Sequence, residues 1–189
     1  SLTNLGARKV KGIYYTPLTV VKSLIGLLSE ATHLEDKSVL DPCCGSGNFL
    51  LEMVRNGTSV QKIFGQDSDP IAISLARINF AIEFDIADVK FFYSHFICAD
   101  TLLMEPTGAF DIVLGNPPWG GEVTNEQLPF LINRYKTAQE KNNETFSLFT
   151  EYSLNILSEN GILAFVLPEA ILNIKGHQEI RTLLLNQCN

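Results

Sequence analysis

The chain has 189 residues, 46% of them hydrophobic and 19% charged, which excludes a disordered polypeptide and fits one domain with a sizeable core. Lysine and arginine total 14 against 21 acidic residues, a formal charge of −7; a domain that grips nucleic acid unaided is usually basic. Cys43, Cys44, Cys98 and Cys188 are too scattered for a disulfide framework or a zinc site, and no apolar run reaches the ~18 residues of a membrane span. No metal and no membrane partner is expected, and with no secretory signal visible the expected setting is cytoplasmic. The chain begins at Ser1 without methionine, which reads as a fragment of a longer polypeptide.

Thr16-Pro17 is a cap-plus-proline start that predicts a helix with Thr16 as N-cap, carrying Leu18, Val21, Ile25 and Leu28 on one face. Ser38–Asp41 reads as a short buried strand, running into the turn Pro42-Cys43-Cys44-Gly45-Ser46-Gly47 and a helix over 48–55. Lys62–Asp67 reads as a second strand with an acid at its end. Asp69-Pro70 starts another helix, with Ile71, Leu75, Ile78 and Ile82 as its apolar stripe. Val89–Phe96 is rich in aromatic, strand-favouring residues and reads as a third strand; Ala109–Leu114 is a fourth. The stretch 122–143 reads as a polar, mobile loop with one helical piece. A helix over 145–157 places Phe146, Phe149, Ser153 and Ile156 together, Ile162–Leu167 is a fifth strand, and 178–186 a last helix.

Strands alternating with helices, the strands apolar throughout, predict an α/β fold: a doubly wound, mostly parallel sheet covered on both faces. The strand at 162–167 is too apolar for a comfortable exposed edge, so the last strands of the sheet are expected to be missing or something else covers it.

In such a sheet ligands bind at the carboxyl ends of the strands. Gly45 and Gly47 let the backbone turn tightly there, and Asp67, about 20 residues beyond Gly47, stands where a carboxylate meets ribose hydroxyls. The third glycine of the dinucleotide pattern is replaced by Leu50, no lysine follows as in a phosphate-binding loop, and an acid, Asp41, opens the turn. A ligand with a ribose and a cationic amino-acid end, such as S-adenosylmethionine, fits this better than NAD or ATP. The same pattern also occurs in inert loops, and Cys43 and Cys44 read as small fillers of the turn. His95 reads as part of an exposed face.

The sharpest signal is Asn116-Pro117-Pro118-Trp119 at the carboxyl end of the fourth strand. With proline about 5% of residues, two in a row follow a given asparagine about once in 400 by chance. The amide oxygen of Asn116 and the carbonyl of Pro117 can each accept a hydrogen of a planar –NH₂ group. Such paired acceptors localise the nitrogen lone pair and stabilise positive charge developing there. Trp119 offers a flat face for a heterocycle. A Pro-Pro turn beside a core tryptophan is the structural alternative.

With these residues in hand, the sequence resembles the adenine-specific DNA methyltransferases of restriction-modification systems. The resemblance runs over almost the whole chain. Gly12–Pro17 is similar to the family's N-terminal motif around the methionine end of the cofactor, which implies roles for Tyr15 and Thr16. Asp41, Pro42, Cys43, Gly45, Ser46 and Gly47 are similar to its first cofactor motif, with cysteine where alanine is common. Asp67 and Ser68 resemble the second motif. Asp100, followed by Thr101, resembles the acid that meets the cofactor's adenine amino group. Asn116 to Trp119 are similar to the catalytic motif, with Asn116 also bordering the cofactor and tryptophan in place of the commoner tyrosine or phenylalanine. The resemblance implies a Rossmann-like S-adenosylmethionine-dependent methyltransferase fold. It would comprise a helical cap carrying a cofactor motif over 1–36, a catalytic core over 37–189, and a DNA-recognition domain C-terminal to both. The activity implied is methyl transfer to the exocyclic amine of adenine in double-stranded DNA, with restriction and specificity partners. Rivals are a methyltransferase acting on an RNA base or a protein glutamine amide, a non-catalytic cofactor-binding or assembly module, and, disfavoured by Leu50, a nicotinamide oxidoreductase.

Overall fold

The computed structural model describes residues 16–120, 123–138 and 144–188. Five parallel strands, β1 (Val39–Asp41), β2 (Ile63–Asp67), β3 (Phe96–Cys98), β4 (Phe110–Gly115) and β5 (Leu157–Phe165), lie in the order β3-β2-β1-β4-β5. The order reverses between β1 and β4, so their carboxyl ends form the switch-point crevice of a doubly wound, Rossmann-like sheet. No helix among the described residues is long and apolar enough to cross a membrane.

Alternation along the strands supplies a core on each face. Val39, Ile112 and Leu114 join α1 (Leu18–Ala31), α2 (Asn48–Arg55) and α3 (Pro70–Glu83) in one apolar cluster. Leu40 and Val113 face the other way, onto Leu131 and Tyr135 around α5 (Leu128–Arg134) and Leu148, Phe149, Tyr152 and Ile156 of α6 (Thr145–Ile156). A third, smaller cluster joins Phe146, Ile171 of α7 (Ala170–Asn173) and Ile180 of α8 (Gln178–Gln187).

Several sequence expectations need correction. Thr16 does not cap α1: Pro17 occupies that position with no side-chain cap, and its carbonyl accepts from the N–H groups of Val20 and Val21. Val21, Ile25 and Leu28 are buried as expected, but Leu18 is half exposed. The stretch Val89–His95 is a helix, α4, whose start is capped by Asp88 accepting from the Lys90 N–H; only Phe96–Cys98 forms the third strand. His95 is not on an open face but stacks between Phe91 and Phe64. On α3 the face turned inward is Ile73, Ala76 and Phe80, while Ile71 and Ile82 are 69% and 78% exposed. Around the stretch expected to be mobile, the described residues are anchored: Leu131 and Tyr135 are core, and the buried Glu151 carboxylate accepts from the backbone N–H groups of Lys136 and Thr137. β5 starts at once after α6. Asn160 and Gly161 make the turn at which its register against β4 shifts, Asn160 in the left-handed region (φ 63°) that asparagine tolerates.

Candidate active site

Hydrogen bonds brace the turn after β1 and tie it to β2. Asp41 Oδ1 accepts from the Cys43 N–H (3.0 Å), the Cys44 N–H donates to the Gln66 carbonyl (2.8 Å), and the Gly45 N–H donates to Asp67 Oδ2 (2.8 Å). Gly45 and Gly47 both have positive φ, 54° and 88°. They differ in what lies over them. A methyl group on Gly45 would meet nothing within 4 Å, whereas one on Gly47 would stand 3.4 Å from Ala76 Cβ and the Phe80 ring. Gly47 therefore closes the turn onto α3, and Gly45 leaves backbone open to a ligand.

Leu50 is fully buried, and the role of a third glycine passes to β2. A methyl group on Gly65 would come within 2.9 Å of Cys44 Sγ and 3.1 Å of Leu50 Cδ1. The close helix–strand approach is thus achieved by removing a side chain from the strand. Cys43 and Cys44 are free thiols, as their reading as fillers required. Burial, then the Asp41 and Asp67 carboxylates, push both well above the ordinary thiol value, so they stay protonated and unreactive.

Three acids stand at successive strand ends. Asp41 is buried, and desolvation raises its carboxyl to about 7, against the Cys43 backbone bond that lowers it; nearby Asp67 raises it further. Asp67 is raised by the same cause, offset by the N–H groups of Asp69 and Gly45, and its Oδ1 accepts from Asp69 (2.9 Å). Asp100, after β3, accepts from the Leu102 N–H through Oδ1 and from Gln127 Nε2 through Oδ2 (2.9 Å). Thr101 is buried and donates to the Pro42 carbonyl (2.7 Å), joining the third strand end to the first.

β4 ends in Gly115 at φ 147°, packed on Asp41 so closely that a methyl group there would stand 2.6 Å from Oδ1. Asn116 follows at once. Its Nδ2 donates to Thr16 Oγ1 (3.0 Å), while its Oδ1 is buried and has no hydrogen-bond partner among the described residues. An unpaired buried amide oxygen is costly, about 1–3 kcal/mol, and native proteins keep such groups for a reason. Thr145 Oγ1 donates to the Pro118 carbonyl (2.6 Å), pinning the diproline to the start of α6. Trp119 is half buried against the cluster of Phe146, Ile171 and Ile180.

The amide at the end of β4 and the glycine turn at the end of β1 therefore flank one crevice, and sequence comparison identifies the arrangement. A model of the family described as N-6 DNA methylase matches residues 3–189. The chain belongs to the N-6 DNA methylase family. Among its relatives, the type II methyltransferase M.VspI of Vibrio sp. (strain 343) is 28% identical over 171 residues, covering 90% of this chain and 40% of its own. The type II methyltransferase M.TthHB8I of Thermus thermophilus is 28% identical over 196 residues, with 99% and 41% covered. Among solved structures, the methyltransferase subunit of a type I restriction-modification system from Streptococcus thermophilus superposes with a TM-score of 0.72 at 26% identity. That match covers 92% of this chain and 38% of the other. The chain thus spans about two fifths of the length of these relatives.

Within this N-6 DNA methylase domain, the strand ends bring together Asp41, Pro42, Cys43, Gly45, Ser46, Gly47, Asp67, Ser68, Asp100, Thr101 and Asn116 to Trp119. Thr16 joins them from the start of α1 through its bond to Asn116. Tyr15 and the rest of the N-terminal motif lie outside the described residues. Sequence reasoning missed Gln127, which engages Asp100, and Thr145, which holds Pro118. Neither has a motif signal, because each reaches the site from a separate element. Gly115 and Gly65 were also missed as packing residues; a glycine within a strand pattern, a mark of close backbone approach, was the available clue.

Proposed function

We propose that this chain carries the catalytic core of an S-adenosylmethionine-dependent enzyme that methylates the exocyclic amino nitrogen of adenine in DNA, within a restriction-modification system. The observation that carries the reading is Asn116 Oδ1: a buried, unpaired acceptor at the switch-point crevice, beside a diproline. Open backbone over Gly45 and the acids at the strand ends fit the cofactor's chemistry. Asp41 would hold its ammonium group, Asp67 its ribose hydroxyls, and Asp100 its adenine amine. When bound, the cofactor supplies a methyl group activated on a sulfonium.

The chain's own residues handle the acceptor amine. Asn116 Oδ1 and the Pro117 carbonyl take one amino hydrogen each. This draws the nitrogen toward tetrahedral geometry and stabilises positive charge on it. The diproline fixes the backbone that carries the Pro117 carbonyl. Trp119 gives the extruded base a flat surface to rest on. Positioning and electrostatics supply most of the acceleration, with no general base of tuned pKa.

The −7 charge supports placing the grip on double-stranded DNA, and any specificity or restriction partner, in a further domain or subunit. The reading divides the chain into a helical cap over 1–36 and a catalytic core over 37–189. The test is Asn116→Ala in a radiolabelled methyl-transfer assay with DNA, RNA and protein acceptors, beside calorimetric titration of S-adenosylmethionine. Transfer to DNA adenine is expected for the wild type. The variant should lose transfer by about a hundredfold or more and keep cofactor affinity within about threefold. Transfer at the wild-type rate by the variant, or wild-type transfer to RNA or protein alone, would overturn it.

A further inference from the structure

The contact between Thr16 and Asn116 joins residues a hundred positions apart (3.0 Å), and it bears on which end of the Asn116 amide faces the crevice. A carboxamide presents two hydrogens at one end and two lone pairs at the other, and a half-turn exchanges them. An amine to be methylated offers hydrogens only in its plane, so it meets a partner at Oδ1 and repulsion at Nδ2. Thr16 Oγ1 takes the nitrogen end, and the oxygen end is left buried and unpaired. A hydroxyl could serve either orientation, accepting from Nδ2 or donating to Oδ1. The choice is made only when its own hydrogen is committed to another acceptor. No acceptor for that hydrogen exists among the described residues, and Thr16 is half buried beside the crevice.

Building on the function proposed above, we propose that Thr16 is a positioning residue that couples cofactor occupancy to the orientation of Asn116. The carboxylate at the amino-acid end of the cofactor, a group with lone pairs and no hydrogens, takes the Thr16 hydroxyl hydrogen. Oγ1 is then obliged to accept, Nδ2 is held, and Oδ1 is presented to the acceptor amine. The device readies the acceptor site only when the methyl donor is in place. It differs from a role in cofactor binding alone, because it acts on the saturated rate.

The experiment compares wild type, Thr16→Val and Thr16→Ser in the intact protein, with asparagine side chains labelled with ¹⁵N and Asn116→Ala used to assign the resonance. S-adenosylhomocysteine, which keeps the carboxylate and has no methyl group to transfer, is the probe. In the wild type and Thr16→Ser, it is expected to move and narrow the Asn116 side-chain amide pair. In Thr16→Val the pair should not respond, although excess probe still binds by calorimetry. Single-turnover transfer at saturating cofactor should fall about tenfold or more in Thr16→Val and stay within about threefold in Thr16→Ser. An Asn116 amide in Thr16→Val that responds as in the wild type overturns the proposal. So does a Thr16→Val defect confined to cofactor affinity, with the saturated rate intact. Either result leaves the proposed function standing. A wild type that transfers no methyl to DNA defeats that function, while the amide response still decides the role of Thr16.

Discussion

If Asp41 holds the cofactor's ammonium group as proposed, cofactor binding should carry a pH dependence that can be worked from the surroundings of this carboxyl. Its carboxyl stands at about 7 instead of 3.8, because burial disfavours the anion more than the Cys43 N–H supports it. At pH 7 about half of the free protein carries that proton. A ligand ammonium beside the group favours the anion, so binding expels the proton, and apparent affinity falls about tenfold per pH unit below 7. Between pH 7.0 and 5.5, where an α-amine stays protonated, the dissociation constant of S-adenosylmethionine should rise about fifteenfold. Asp41→Asn removes the titrating group and should flatten the profile while weakening binding at pH 7. The same proton acts on stability with a definite sign. A folded-state value above the unfolded one makes this group's contribution best below about pH 4, and it declines until the pH reaches 7. At about 1.4 kcal/mol per unit the loss approaches 4 kcal/mol. Asp67, raised by the same cause, acts in the same direction, so Asp41→Asn isolates one part. Calorimetry at three pH values and urea unfolding at pH 5 and 7.5 measure both effects. A wild-type affinity that is level from pH 5.5 to 7.0, or a slope that persists in Asp41→Asn, would refute the reasoning.

Two further predictions follow from the packing around the crevice. Gly115→Ala adds a methyl 2.6 Å from Asp41 Oδ1 on backbone at φ 147°. Strain and displacement of the carboxylate should lower stability by about 2–4 kcal/mol in urea unfolding, and a change under about 0.5 kcal/mol would count against the described contact. Gln127→Ala frees Asp100 Oδ2 from its bond to Nε2. If that bond competes with the cofactor's adenine amine, S-adenosylmethionine should bind about fivefold tighter, the equivalent of about 1 kcal/mol. Weaker binding in the same titration would make Gln127 a cofactor contact instead.

Much of this protein was legible in its sequence because local chemistry fixes local structure. Glycines at 45 and 47 dictate the turn, Asp69-Pro70 the start of α3, and the apolar strands a sheet buried on both faces. Asn116 to Trp119 stood out as a candidate site because an amide followed by a diproline is rare, and they do lie at the carboxyl end of β4 beside the switch point.

Tertiary packing decided what periodicity leaves degenerate. On α3, Ile71, Leu75, Ile78 and Ile82 make as regular a stripe as Ile73, Ala76 and Phe80. The second set lies inward because Gly47 packs against Ala76 and Phe80. Val89–His95 is rich in strand-forming residues, yet the Asp88 cap and burial of the adjacent Phe91 and Phe92 make it a helix. The acid at 41 was raised toward neutrality only by burial in the closed fold, against Gly115 of β4, and the amide of Asn116 met its hydroxyl partner a hundred residues away. Sequence spacing records which groups are available; the direction in which each points depends on contacts between distant segments, which only the closed fold brings together.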